Sequence, residues 1–254
     1  MTAEAPGGTD TLLTPTQLSE VLVLLKGADT VELKLTVDLA AQRSALEALD
    51  LDPLGAQVRL VSFFDTPDLA LQAAGVVVRA RRVAGKGDDT VVKLRPVDPA
   101  VLPKKLRRHE SFGVEVDAMP GGFVCSGSFK GVARKPIRES LAGGKPLSKL
   151  FTKEQRAFYA EHAPAGFALD DLVELGPIFV LKVKDTPKGF ARKLVVELWL
   201  YPDGERILEL STKCLPAEAF EVAGQLRAFL ADRGIEPSAA QQTKTKKALS
   251  TFAG

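Results

Sequence analysis

Histidine, cysteine, methionine and tryptophan are nearly absent: two His, two Cys, two Met and one Trp in 254 residues. With only His109 and His162 present, a His-rich zinc centre or a His-dependent triad has very few candidates, and each histidine is expected at the surface. A metal, if used, must be held by carboxylates, which points to Mg²⁺ or Mn²⁺. Cys125 and Cys214 are too few for a disulfide framework and read as two buried or half-buried thiols in a reducing cytosol. No stretch approaches the roughly 20 apolar residues of a membrane-spanning helix. Met1 to Asp10 is small, acidic and Gly/Pro-containing, without the basic and apolar regions of a signal peptide, and is expected to be disordered. A soluble cytoplasmic protein, monomer or homodimer, is the resulting expectation. A net charge is also lacking: 34 Lys+Arg face 32 Asp+Glu, a balance of +2. That argues against a general binder of nucleic acid or of membrane surfaces, which would carry a large basic excess.

What is present is enough apolar chain, 45% hydrophobic, to bury a real core. Thr14-Pro15-Thr16-Gln17 is an N-cap, a Pro at N1 and a Gln at N3, opening a helix that Gly27 ends. Asp38 can cap a helix with Leu39, Leu46 and Leu49 on its apolar face. Alternation predicts eight strands: 30–37, 57–64, 76–83, 90–95, 112–117, 178–184, 193–201 and 206–212. Asp65-Thr66-Pro67-Asp68 is a turn in which Asp65 serves as an Asx-type acceptor. Pro202-Asp203-Gly204-Glu205 is a hairpin turn. Residues 216–232 read as an amphipathic helix and 238–252 as a short final one. Residues 119–176 are less regular, with a Gly143-Gly144 break, a helix around 149–161 and a basic run from Lys130 to Arg138 that reads as solvated surface. Residues 11–254 thus form one α+β domain with a helical insertion at about 119–176.

The ionised residues recur two apart on the polar face of nearly every strand. Glu32 pairs with Lys34, Arg79 with Arg81, Lys93 with Arg95, Glu115 with Asp117 and Lys182 with Lys184, and Glu197 and Glu209 follow. For one strand, a solvated outer face explains this best. Repeated on all strands, with helices available to cover the apolar side, it fits a closed barrel whose lumen holds seven cations and five carboxylates. Such a lumen would take a polyanion on Lys and Arg while carboxylates hold a divalent metal. Trp199 falls on this face by alternation from Glu197. It reads equally as a rim or base-stacking residue, or as a core residue displaced by a bulge.

Several segments, in order, resemble the CYTH superfamily, the triphosphate tunnel metalloenzymes. Glu32-Leu33-Lys34 is similar to the second half of its Glu-x-Glu-x-Lys signature. Phe63-Phe64-Asp65-Thr66-Pro67 resembles its Tyr-Phe-Asp-Thr-Pro turn, and Val78-Arg79-Ala80-Arg81 its Leu-Arg-x-Arg strand. Lys93, Glu115-Val116-Asp117 and Thr243-Lys244-Thr245-Lys246-Lys247-Ala248-Leu249 match its later pieces. The resemblance implies an eight-stranded antiparallel closed β-barrel that binds a triphosphate inside. It implies Lys34, Arg79, Arg81, Lys93, Arg95, Lys182, Lys184 and Lys244 on phosphate, with either Lys182 or Lys184 the principal one of that pair. It implies Glu32, Glu115, Asp117 and Glu209 on metal, with Lys34, Glu197 and Glu209 in the chemistry. Two family carboxylates are replaced, by Thr30 and Ser211. Three readings therefore stand side by side: a metal-dependent triphosphatase, a class IV-like adenylyl cyclase, and a non-catalytic polyphosphate or nucleotide binder.

Overall fold

The computed structural model describes residues 14–241 and 243–252. The expected disorder of Met1 to Asp10 lies outside them. In chain order the elements are α1 (Pro15–Gly27), β1 (Thr30–Val37), α2 (Gln42–Ala48), β2 (Gln57–Asp65), α3 (Ala70–Ala73), β3 (Val76–Val83), β4 (Asp89–Leu94), α4 (Lys104–Arg107), β5 (Phe112–Met119) and β6 (Gly122–Val132). Then follow α5 (Ile137–Ala142), α6 (Lys153–His162), β7 (Val173–Asp185), β8 (Leu194–Leu200), β9 (Arg206–Cys214), α7 (Ala219–Ala231) and α8 (Lys244–Phe252). The capping box expected at Thr14 and Gln17 opens α1. Beyond Asp38 the chain makes a 3-10 turn before α2, and Leu39 is exposed rather than on a buried face.

The strands close into a barrel in the order β1-β5-β6-β4-β3-β2-β7-β8-β9. The expectation of eight antiparallel strands is corrected here: the barrel has nine strands and is mixed, because β1 and β5 run parallel. The two departures are one. Strands that strictly alternate in direction cannot close a ring of odd number, so the ninth strand requires one parallel seam. The extra strand is β6, inside the segment read as a helical insertion. Its lumen face is Val124, Ser126 and Ser128, with a single charge in register, the exposed Lys130 near the strand end, and Gly122, Gly127 and Gly131 weaken its strand signal. Gly127 is there for space: a Cβ would stand 2.9 Å from the Phe112 ring across the β5–β6 pair.

Two apolar cores result. The larger lies outside the barrel, where Val31, Leu33 and Leu35 of β1, Val114 and Val116 of β5 and Leu208 and Leu210 of β9 meet the helices. Cys125 and Cys214 are both buried here as free thiols. The smaller core lies inside one end of the barrel: Val61, Phe63, Ile178, Val180, Trp199, Tyr201 and Ile207 pack against Ala248 and Leu249 of α8. The α8 helix therefore stops that end with an apolar plug. Trp199 keeps its lumen-facing register, opposite Val180 and with no bulge in the β7–β8 pairing. It is nevertheless buried, because this end of the lumen is itself a core.

Gly75 fixes the α3–β3 corner. It has φ +73°, a Cβ there would stand 2.7 Å from the Arg95 carbonyl oxygen, and its own carbonyl accepts from Arg95 N at 2.8 Å. Gly75→Ala is expected to cost about 1–3 kcal/mol, read as a lower urea midpoint. An unchanged midpoint would remove this account of the corner.

Candidate functional site

Alternation points the charged side chains into the lumen, where they gather into three groups. In the first, the fully buried Asp117 of β5 receives three cations: Lys34 Nζ at 2.7 Å, Arg95 Nη1 at 2.8 Å and Lys93 Nζ at 3.5 Å. Lys34 also lies 2.7 Å from Glu32, and Glu115 is ion-paired with Lys213. The parallel seam sets these neighbours, placing Glu32 beside Asp117 and Thr30 beside Glu115, while the β1–β9 pairing sets Lys213 opposite Glu32. Burial works to raise the Asp117 carboxyl, but Lys93, Lys34 and Arg95 outweigh it and hold it well below the usual range. Burial likewise works against the Lys34 charge, and Asp117, Glu32 and Glu209 overcome it, so its pKa rises. For Lys93 burial wins, and its pKa is lowered despite Asp117.

In the second group, Glu197 of β8 accepts from Lys182 at 2.7 Å, Lys244 at 2.5 Å and Trp199 Nε1 at 3.2 Å, and Arg59 Nη1 lies 3.9 Å away. Glu197 stands directly opposite Glu209, a like-charge pair that would repel. Lys244, delivered by α8, bridges both and lies 2.7 Å from Glu209. Lys182 and Lys184, indistinguishable by alternation, separate clearly: Lys182 makes the lumen ion pair and Lys184 is exposed.

In the third group, Arg81 Nε and Nη2 both donate to one oxygen of Asp89, Oδ2, at 2.9 and 2.7 Å. Arg79 is different. The residue as a whole is half-buried, but its Nε is buried without a hydrogen-bond partner. Burial, reinforced by Arg81, pulls its pKa down to about 10. A guanidinium with a buried, unsatisfied donor is costly unless an anion completes it.

Arg59, Asp89 and Lys213 are site residues that sequence reasoning missed. Lys213 lies one residue beyond the expected end of its strand, on the face of Glu209 and Ser211. Arg59 was masked by Val61 and Phe63, apolar neighbours on its own face. Asp65, by contrast, accepts from Thr66, Leu71 and Gln72 backbone N–H groups, as its turn role requires. His109 and His162 are half-buried beside Phe129 and Phe158, away from the three groups.

Glu32, Glu115 and Asp117 each offer an oxygen, all within 4.8 Å of one another; this is the one such group among the described residues. Three hard oxygen donors suit a hard divalent cation. Glu209 is not in that group, and its carboxylate faces Lys244 instead. Thr30 donates to Glu115 at 3.3 Å, and Ser211 stands opposite Lys34, buried.

No family model matches the sequence, and no curated protein does. Solved structures do match. A candidate adenylyl cyclase from Hippeastrum, with a dominant triphosphatase activity, aligns at a TM-score of 0.62 and 18% identity, over 86% of this chain and 94% of that one. A candidate adenylate cyclase from Bacillus halodurans aligns at 0.57 and 12% identity, over 86% and 98%. The chain shares the closed-barrel fold of these proteins. No described helix is long and apolar enough to cross a membrane.

The carboxylates also set an acid limit. Asp117 and Glu197 are both lowered: burial alone would raise each, and the cations around them prevail. A carboxylate with a folded pKa below its unfolded one contributes stability that is complete above the unfolded value and is lost as pH falls towards the folded value. Melting temperatures are therefore expected to hold from about pH 8 to 6 and to fall progressively below about pH 4.5. A flat profile down to about pH 3 would show that these pairs do not stabilise the barrel.

Proposed function

We propose that the chain is a divalent-metal-dependent triphosphatase acting on an inorganic or organic triphosphate bound in the lumen. The observation that carries this reading is Arg79: a guanidinium with a buried, unpartnered Nε, flanked by Arg81 and Arg59, is a place for phosphate oxygens. Arginine meets phosphate bidentately, whereas lysine acts as a point charge. Arg79 and Arg81 would grip one end of the phosphate chain. Lys34, Lys93 and Arg95 would neutralise charge at the other, and Lys182 and Lys244, oriented by Glu197 and Glu209, would line the passage. Glu32, Glu115 and Asp117 would hold Mg²⁺ or Mn²⁺. Such a metal supplies charge neutralisation on the transferring phosphoryl oxygens and acidifies water. The chain's own part is to fix the phosphates in line and to present cations to the equatorial oxygens as charge develops there.

The solved structures support this reading through the triphosphatase activity of the Hippeastrum protein. Cyclisation of ATP is the second reading, favoured by the cyclase descriptions of both aligned proteins. The test incubates the purified full chain with tripolyphosphate, thiamine triphosphate and ATP, each with Mg²⁺ or Mn²⁺, and measures phosphate release. Chromatography of the ATP reaction separates cyclic AMP from ADP. Phosphate release with loss of activity in chelator supports the triphosphatase, and cyclic AMP as the main product replaces it with the cyclase. Tight triphosphate binding without turnover under either metal reduces the site to a binder.

A further inference from the structure

The acidic triad is already attended by three ammonium groups, Lys34, Lys93 and Lys213, and by the Arg95 guanidinium; Lys93 and Arg95 reach only Asp117, and Lys34 and Lys213 differ in one decisive respect. Lys34 Nζ sits between Glu32 and Asp117, 2.7 Å from each, with its side chain 11% exposed. It is enclosed and also bonded from both sides. Lys213 Nζ sits on Glu115, at the strand end, with its side chain 49% exposed. Lys213 also stands directly opposite Glu32 in the β1–β9 pairing, so both lysines neighbour that carboxylate. The oxygens that would take a divalent ion are thus partly occupied by a cation that the protein supplies itself. Of these cations Lys213 is the most exposed, and it can swing into water without unfolding anything.

We infer that Lys213 is the residue that sets the metal affinity of the triad, as a displaceable internal cation competing for the Glu115 and Glu32 oxygens. The neighbours on the same face reinforce this. Thr30 spends its hydroxyl on Glu115, and Ser211 adds no charge, so the triad has three carboxylates and no acidic reserve at these two positions. A divalent ion arriving at Glu115 must displace the ammonium, and its binding free energy is reduced by that exchange. Lys34, being enclosed, stays in either state. The inference rests on the metal assignment made above but not on any turnover.

The test is a Mn²⁺ titration of the full chain without phosphate, followed by electron paramagnetic resonance of free Mn²⁺. Lys213→Met keeps the aliphatic stem and removes the charge. It is expected to tighten Mn²⁺ binding by about tenfold or more. Lys213→Arg, which keeps the charge, is expected to stay near the parent affinity. Glu115→Gln is expected to abolish the gain in the Lys213→Met background, which locates the effect at the triad. A Lys213→Met protein that is folded by circular dichroism and binds Mn²⁺ no more tightly than the parent overturns the inference. So does an equal gain in Lys213→Arg, and so does the absence of millimolar binding in all variants. Since no substrate is present, a chain that hydrolyses nothing still reveals whether Lys213 competes with the metal. Conversely, phosphate release by the parent with an unchanged Lys213→Met titration would leave the triphosphatase reading standing and remove only this one.

Discussion

Asp117→Asn is expected to destabilise the barrel by about 3–5 kcal/mol, the range found when one partner of a buried ion pair is removed. Asp117 has no exposed side-chain surface, and three cations converge on it. The amide keeps the shape and loses the charge, leaving Lys34, Lys93 and Arg95 facing one another in a closed space. Two dependences distinguish this from ordinary loss of packing. Burial already lowers the Lys93 pKa, and without Asp117 it falls further. A lysine whose folded pKa is below its unfolded one binds fewer protons in the native state, so stability rises with pH across that window. The deficit of Asp117→Asn should therefore shrink as pH is raised from about 7 towards 10. Tripolyphosphate should also raise its melting temperature more than that of the parent, because the anion replaces the missing countercharge. Urea denaturation at several pH values, with and without tripolyphosphate, measures both. A deficit that is independent of pH and of the anion would reduce Asp117 to a packing residue.

The barrel was legible in the sequence because its lumen is charged. Period-two ionised residues on Thr30–Val37, Val76–Val83, Asp89–Leu94 and Phe112–Met119 identified both the strands and the face that points inward. Where the lumen is not charged, the same signal failed. Strand β6 shows serines and a valine inward, so its place in the ring was hidden, and with it the parallel β1–β5 seam. The apolar plug was hidden for a related reason: Val61, Phe63, Ile178 and Trp199 look like core on any face, and only closure of the ring puts them inside. The first group could be read as far as its members, since Glu32, Lys34, Lys93, Arg95, Glu115 and Asp117 all sit on recognised strands. Its pairing could not be read, because the partners depend on which strands adjoin. Asp117 as the meeting point of three cations is a property of the seam. Lys213 illustrates the boundary problem in its simplest form, a lumen residue one position past the expected strand end. Lys244 required the tertiary placement of α8, which no strand pattern specifies.

Arg79 is where stability and function are expected to part. Its guanidinium carries a buried, unsatisfied Nε, and burial with a neighbouring Arg81 depresses its pKa. In the unliganded barrel that arrangement is unfavourable, and replacing a buried ion by an apolar side chain of similar volume is often neutral or stabilising. Arg79→Met should therefore melt at or above the parent temperature when no anion is present. With tripolyphosphate the order should reverse: the parent gains stability from binding and Arg79→Met gains little. The corresponding loss in triphosphate kcat/KM is expected to be about 10²–10³-fold, the scale of removing one preorganised donor from developing charge. Arg79→Lys should fall between, since a lysine restores the charge and not the bidentate fork. Calorimetric titration with tripolyphosphate and thermal melts of the three proteins decide the matter. A destabilised Arg79→Met that binds tripolyphosphate as tightly as the parent would mean that the guanidinium serves the fold, and the phosphate site would have to be sought among Lys34, Lys93 and Arg95 instead.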